Sequence, residues 1–143
     1  MKFLMHEVLQ KVSNAKTKNE KIKLLREYNT QALRSLLIIN FDESIISLLP
    51  TGEPPYQKNE SPEGTEHTIL EKESRLLHHF FKGGSSVKQP KRETMFIQML
   101  EGLSEGEAGV LVLAKDKKLG KRWKITKQCV EEAFPQIKWG GRS

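Results

Sequence analysis

The sequence predicts an all-α protein: a single compact domain of about six to seven helices. Apolar residues recur at three- and four-residue spacing through most of the chain, as on the buried face of a helix. Several of these runs follow a Ser or Thr at the position where a hydroxyl caps free helix amides. No segment predicts a robust strand, since residues 110–113 follow a capping signal and read as helix.

The predicted helices fall into two halves joined by one long loop. We expect an N-terminal helical half (residues 1–49), a Pro/Gly-rich loop (residues 50–64) and a C-terminal helical half (residues 65–143), all in one domain. The loop holds four of the six prolines and is longer than most connections in compact domains. It is either a surface meander pinned by Tyr56 or a linker, lid or binding arm, and we expect proteases to cut there first.

The N-terminal half contains three predicted helices. Thr17 and Glu20 form a capping box that opens the second, and Asn29 or Thr30 caps the third, over residues 31–39. Residues 45–49 add one further turn before a proline ends it. The side chains expected in the core are Met5, Val8, Leu9, Val12, Ile22, Leu24, Leu25, Tyr28, Leu33, Leu36, Leu37, Ile38 and Ile39.

The C-terminal half contains four predicted helices, each with its own start signal. The predicted starts are Thr65, Pro90, Ser104 with Glu107, and Thr126. The predicted ends of the first, second and last of these helices are Gly83-Gly84, Gly102 and Pro135. Beyond them we expect Trp139 to pack on the domain and the last three or four residues to be unstructured.

Composition and charge limit the partners and the cellular compartment that we expect for this protein. The formal net charge is +6, with basic ends and an acidic stretch over residues 29–65, so a nucleic acid or another acidic surface is a natural partner. No apolar run approaches the roughly 20 residues that span a bilayer, so we expect no membrane partner. The single cysteine excludes an intrachain disulfide and fits a reducing cytoplasm.

Catalytic and metal-binding patterns are missing from the sequence. The candidate soft ligands lack metal-ligand spacing, and adjacent histidines on a helix point about 100° apart. No nucleophile elbow, phosphate-binding loop or partnered carboxylate pair is present. We therefore expect no metal, no cofactor and no enzymatic activity. The residues considered were His67, His78, His79, Cys129, Ser85, Ser86, Asp42 and Glu43.

The strongest candidate for function is the basic segment, residues 115–127. Seven of its thirteen residues are basic, only Asp116 opposes them, and Trp123 lies between two cations. Cations neutralise phosphates and an aromatic face stacks on bases, so this pattern predicts non-specific nucleic-acid binding. It is equally typical of a solvated connector whose tryptophan packs on the core. The predicted site residues are Lys115, Lys117, Lys118, Lys121, Arg122, Trp123, Lys124 and Lys127.

The helices on either side of the basic segment limit the ways in which it could bind nucleic acid. The connector between them is too long for a helix-turn-helix, whose turn has about three or four residues. Glu131 and Glu132 on the last helix would repel phosphate. We therefore expect contacts to the phosphate backbone rather than base reading, with residues 16–23 as a second basic contact region.

Several stretches carry a family resemblance: residues 8–18 (VLQKVSNAKTK), 48–56 (LLPTGEPPY), 62–67 (PEGTEH), 95–103 (MFIQMLEGL) and 132–135 (EAFP), with Trp139-Gly140. They resemble small uncharacterised proteins of large contractile-tailed (myovirus-type) bacteriophages, including cyanobacterial phages. The resemblance implies a phage protein in the host cytoplasm during infection or in the virion, with no assigned activity. Two functions then compete: an accessory nucleic-acid-binding protein, or a structural or protein-interaction module such as a virion component or a modulator of a host protein.

Overall fold

The computed structural model describes residues 3–58 and 68–142. Over these residues the chain forms seven α-helices and two 3-10 helices, with one isolated β-bridge and no longer strand. The predicted all-α class is confirmed. In chain order the elements are α1 (Met5–Asn14), α2 (Lys18–Glu27), α3 (Gln31–Phe41), α4 (Leu70–Glu73), the 3-10 helix η1 (Ser74–Phe80), α5 (Gln89–Gly102), α6 (Glu105–Lys115), the 3-10 helix η2 (Leu119–Lys121) and α7 (Lys127–Ala133).

Four helices begin at the predicted caps. In each, the hydroxyl accepts a hydrogen bond from the amide three residues later, which satisfies one of the free donors of the first turn. The caps are Thr17 (3.2 Å), Thr30 (3.1 Å), Ser104 (3.2 Å) and Thr126 (3.2 Å). The predicted cap at Thr65 lies outside the described residues. Among the helices of the described ranges, none is both long and apolar enough to cross a membrane.

Helix α6 lies at the centre of the fold and packs against α1, α3 and α5. Its buried face includes Ala108, Leu111 and Ala114, each at most 1% exposed. The close approach of α1 depends on Gly106, because a Cβ there would lie 2.5 Å from the His6 ring. A small residue at this position therefore sets the distance between the two helices.

A buried carboxylate links the starts of three elements. Glu107, in the first turn of α6, is 1% exposed, and its oxygens accept hydrogen bonds from the amides of Met5 (2.8 Å) and Leu70 (2.9 Å). These amides lie at the starts of α1 and α4, where a helix favours negative charge. The Ser104–Glu107 spacing predicts the start of α6 correctly, but these long-range contacts carry no sequence signal.

Two local predictions are wrong in the middle of the chain. Residues 45–49 form no helical turn, because Ser47 pairs with Phe81 in an antiparallel bridge. The fourth predicted helix is a short α-helix followed by η1, and it ends at Phe80 rather than at the glycine pair. Phe81 takes an extended backbone (φ −126°, ψ 149°), as the bridge requires. Long-range pairing thus overrides helical periodicity here.

The first part of the predicted loop lies against the helices. The amide of Gly52 donates to Asp116 (2.8 Å), and the amide of Gln57 donates to Glu101 (3.0 Å). Tyr56 packs on the core, as the surface-meander alternative expects. Residues 59–64 lie outside the described residues, so preferred proteolysis of this loop stays a prediction.

The C-terminal tail returns to the end of α3. Trp139 packs on the core as predicted. In the end that was expected to be unstructured, Gly140 and Arg142 make hydrogen bonds to the protein. Asp42 accepts the amide of Gly140 (3.0 Å) and pairs with Arg142, whose own amide donates to Ser44 (3.0 Å). Burial raises the pKa of Asp42. Hydrogen bonds that Ser44, Gly140 and Arg142 donate to its carboxylate outweigh this effect and hold that pKa well below its ordinary value.

Candidate nucleic-acid interface

Three apolar side chains anchor the connector between α6 and α7 in the core. Leu119, Trp123 and Ile125 are 1%, 1% and 4% exposed, respectively. The indole nitrogen of Trp123 donates to the side chain of Gln10 (3.2 Å), so both its ring and its polar atom are occupied by the protein. Trp123 therefore presents no ring face to a base, and the structure follows the alternative in which it packs on the core.

Two of the predicted phosphate-binding lysines are also turned toward the protein. The ammonium of Lys115 donates to the carbonyls of Pro50 (3.0 Å) and Gly52 (2.8 Å) and to Asp116 (2.8 Å). The ammonium of Lys117 donates to the carbonyls of Ile39 (2.8 Å) and Asp42 (2.7 Å). These contacts join the end of α6 to the loop and to α3. Lys115 is 4% exposed, whereas Lys117 is exposed but has its ammonium held by two carbonyls. We therefore expect neither amine to be a main phosphate contact.

The backbone and protonation of Lys117 fit this structural role. Its φ of 59° is in the left-handed region, which a non-glycine residue seldom adopts without supporting contacts. Burial lowers the pKa of Lys117, and the neighbouring Asp42 and Glu43 offset part of that effect. The two carbonyl contacts hold both the unusual backbone and the amine in place.

The side chains of the other five cations, which we call the outer half of the segment, make no hydrogen bond or ion pair within the described residues; these cations are Lys118, Lys121, Arg122, Lys124 and Lys127. Lys121, Arg122 and Lys124 are exposed, and Lys118 is half-buried. The guanidinium of Arg122 lies 4.9 Å from the Trp123 ring centre, which orients it without neutralising it. Lys127 is half-buried, with its amine 5.1 Å from the Trp139 ring. The outer half of the segment is thus the part that a polyanion can reach.

Hydrogen bonds connect the α1–α2 region to this outer half of the basic segment. The ammonium of Lys21 donates to the carbonyls of Val12 (3.2 Å), Ser13 (3.3 Å) and Lys124 (2.7 Å). The amide of Lys124 in turn donates to the hydroxyl of Ser13 (2.9 Å). The Lys21 ammonium therefore joins the two basic stretches, which lie about a hundred residues apart in sequence.

A groove of about 950 Å³ opens between the turn and the connector, and we call it the basic groove. Four lysines line it, and of the described residues around it none is Asp or Glu. Lys18 pairs with Glu132 across its edge, but both side chains are about half exposed, so water screens the pair. The lining residues are Gln10, Ser13, Asn14, Ala15, Lys16, Lys18, Lys21, Gly120, Lys124, Ile125, Thr126 and Cys129.

Two cations of the basic groove are available to a ligand. Within the described chain, the ammoniums of Lys16 and Lys124 make no hydrogen bond or ion pair, and both residues are exposed. Arg122 and Lys11 line a smaller neighbouring depression of about 290 Å³. This depression and the basic groove share the α1 residues Gln10 and Asn14. The two depressions are therefore adjacent along α1, and Glu7 is the acidic residue among the described lining of the smaller one.

The groove floor carries no reactive centre. Burial raises the pKa of the Cys129 thiol, and Lys21 and Lys18 offset this only in part, so the thiol is protonated at neutral pH. Within residues 3–58 and 68–142, no three His, Cys, Asp or Glu side chains are grouped so as to hold a metal ion. His67, one of the candidate ligands, lies outside those ranges. What the groove offers is positive charge.

Sequence reasoning found the two basic stretches but not how they meet. The sequence does not single out Lys21 within residues 16–23, whereas in the structure its ammonium links the two stretches. Gln10 and Ser13, which hold Trp123 and Lys124, had no place in the predicted site. No spacing rule could have found these contacts, because each spans more than a hundred residues.

The fold and the groove define the class of protein as a small, basic, all-α domain with a cationic surface groove. The chain belongs to a family of unknown function, DUF6433, whose model matches residues 8–121. No curated protein and no solved structure matches the chain. The matched residues include Lys16, Lys18 and Lys21 and the basic segment as far as Lys121, while Arg122, Lys124 and Lys127 follow the match.

Proposed function

We propose that this protein binds nucleic acid non-specifically, through a basic face made of the basic groove and the outer half of the basic segment. The observation that supports the proposal is the hydrogen bond from the Lys21 ammonium to the Lys124 carbonyl. It brings the two basic stretches together on one surface. The cations of the basic face that we expect to contact phosphate are Lys16, Lys18, Lys118, Lys121, Arg122 and Lys124.

The chemistry of the basic face favours phosphate over bases. Its cations are ammonium and guanidinium groups, which neutralise phosphates and release counterions. Both tryptophans pack on the core, and no other aromatic residue lines the groove in the described ranges, so stacking on bases contributes nothing there. Glu131 and Glu132 are exposed on α7 and would repel phosphate. Because Glu132 pairs with Lys18 at the groove edge, the bound strand would follow the connector and Lys16 rather than that edge.

The biological setting we propose is that of a non-enzymatic accessory protein of a bacteriophage, acting in the host cytoplasm during infection or in the virion. The resemblance of the stretches quoted above supports the phage origin. The protonated thiol and the absence of Asp and Glu from the described groove lining support a binding role.

The test is a fluorescence-anisotropy titration against labelled single- and double-stranded DNA and RNA. Four phosphate contacts would weaken binding about 100-fold between 50 and 200 mM salt. Reversing Lys118, Lys121, Arg122 and Lys124 to Glu should abolish binding and leave the helical circular-dichroism signal unchanged, since all four side chains make no hydrogen bond or ion pair to the described chain.

A matched control keeps the net charge equal. Reversing four other exposed lysines, Lys72, Lys88, Lys91 and Lys138, changes the total charge by the same amount away from the groove lining. We expect this variant to retain most of the affinity. Equal loss in both variants, or unchanged affinity after the first set of reversals, contradicts the proposal.

A second candidate function, a protein-interaction module, is favoured by a different surface of the molecule. It is a groove with an apolar floor beside η1, and its chemistry differs from that of the basic face.

A further inference from the structure

A second groove of about 450 Å³ lies between α3 and η1, and we call it the η1 groove. One wall is formed by Gln31, Ser35 and Ile38, whose spacing puts them on one face of α3. The other wall includes Arg75 and His78 of η1. Two helical walls of this kind leave a channel whose shape suits a peptide segment.

The floor of the η1 groove is apolar. It is formed by Ile38, Ile39, Ile45, Leu77 and Phe81, which come from four separate parts of the chain. Ile38 and Ile45 are only half-buried. Their exposed surface would be removed from water by a partner that brings apolar side chains, which is the main driving force in most association.

The rim of the η1 groove is cationic. Arg75, Lys82 and Arg142 line it, and none of its described lining residues is Asp or Glu. The side chains of Arg75 and Lys82 make no hydrogen bond or ion pair within the described chain, so both are available to a carboxylate. Charge complementarity therefore selects an acidic partner and disfavours a basic one.

The third cation of the rim is already held in place. Arg142 pairs with the buried Asp42, and its amide donates to Ser44 (3.0 Å), which fixes the tail along the groove. A cation ordered before binding loses less conformational freedom when a ligand arrives. The C-terminal tail thus supplies the third cation of the η1 groove.

One exposed apolar residue extends the surface beyond the floor. Ile46 is 45% exposed, and its carbonyl accepts the amide of Lys82 (2.9 Å) across the isolated bridge. It therefore lies next to the cationic rim. η1 itself runs for seven residues in 3-10 geometry, longer than the usual three or four.

We propose that the η1 groove docks an acidic, apolar peptide segment of a partner protein. Its Asp or Glu side chains pair with Arg75, Lys82 and Arg142, and its Leu, Ile or Phe side chains cover the floor. A nucleic acid would satisfy the cations but leave the apolar floor exposed. The site shares no lining residue with the basic groove, so this proposal is independent of nucleic-acid binding.

The test is a selection of random twelve-residue displayed peptides on the full chain, with the R75E/K82E variant as counter-selection. We expect enriched sequences to combine Asp or Glu with Leu, Ile or Phe. A labelled synthetic copy of the most enriched peptide should bind R75E/K82E and I46S at least tenfold more weakly than the wild type. The control K121E/R122E, on the basic face, should bind it unchanged.

Several results would overturn the proposal. These are no enrichment, enrichment of basic peptides, or binding that survives R75E/K82E. Concentration-dependent self-association that is lost in R75E/K82E would make a second copy of the chain the occupant. Loss of oligonucleotide binding in the same variant would assign the groove to nucleic acid. Both mutated side chains are exposed, so the urea midpoint should stay unchanged and exclude misfolding as the cause.

Discussion

Both halves of the basic segment are rich in cations, but the cationic groups of the two halves make different contacts. In the first half, Lys115 is 4% exposed and Lys117 donates to two carbonyls of the α3 end. In the second half, Lys121, Arg122 and Lys124 are exposed and make no ion pair to the described chain. Between them Leu119 is buried and fixes where the chain turns from one environment to the other.

The difference shows that a run of charge is not a functional unit. A lysine near the end of a buried helix can satisfy main-chain carbonyls that would otherwise lack donors, and then it belongs to the fold. A lysine on an anchored connector, with only water around it, stays available to a ligand. Local sequence looks alike in both cases, and only the surroundings separate them.

The largest expected effect comes from Lys115→Met. This change removes a cation whose side chain is 1% exposed and leaves Asp116, 8% exposed, buried without its charge partner. Breaking such a pair by removing one side costs about 3–5 kcal/mol in the free energy of unfolding. It also frees the carbonyls of Pro50 and Gly52. Urea denaturation followed by circular dichroism measures the loss.

Two variants sharpen that result. Lys121→Met removes a cation of the outer half and should change the free energy of unfolding by less than about 0.5 kcal/mol. The double variant K115M/D116N removes both charges and should lose less than the sum of the single variants, as coupled groups do. Equal small losses for Lys115→Met and Lys121→Met would mean that the two halves do not differ.

A smaller effect is expected for Asp42→Asn, at the α3 end where Lys117 and the tail converge. The amide nitrogen of Asn would face the donors of Gly140 and Arg142, and one unsatisfied buried group costs about 1–3 kcal/mol. Because the pKa of Asp42 is lower in the folded chain than in the unfolded chain, its contribution is complete above the unfolded value of about 3.9 and declines as pH falls below it.

The measurement is a comparison of urea midpoints of the wild type and Asp42→Asn at pH 7 and pH 3. We expect the gap between the two proteins to narrow at pH 3, since the wild type loses this contribution on acidification. A gap that is constant or grows toward low pH would show that Asp42 is not held as a carboxylate by the tail.

Sequence reasoning succeeded where structure is set locally. The four caps at Thr17, Thr30, Ser104 and Thr126 depend on residues three positions apart, and all four are present. It failed where distant segments meet. The bridge between Ser47 and Phe81 and the tail contact at Asp42 have no local signal.

The candidate site, like the fold, was predictable only where the signal is local in sequence. The density of cations over residues 115–127 was visible in the sequence, but the direction of each side chain was not. Burial of Trp123 depends on Gln10, and the position of Lys124 depends on Ser13 and Lys21, all on helices far away in sequence. These partners decide which cations remain for a ligand.

The central claim, that one surface joins the α1–α2 turn to the outer half of the basic segment, is tested most directly by NMR. An unlabelled twelve-nucleotide DNA strand would be titrated into the ¹⁵N-labelled protein at low salt, and amide shifts followed residue by residue. We expect perturbations to cluster together in residues 13–21 and 118–127 and to spare the η1 groove. Perturbation of only one of the two stretches, or of residues 75–84, would contradict the account.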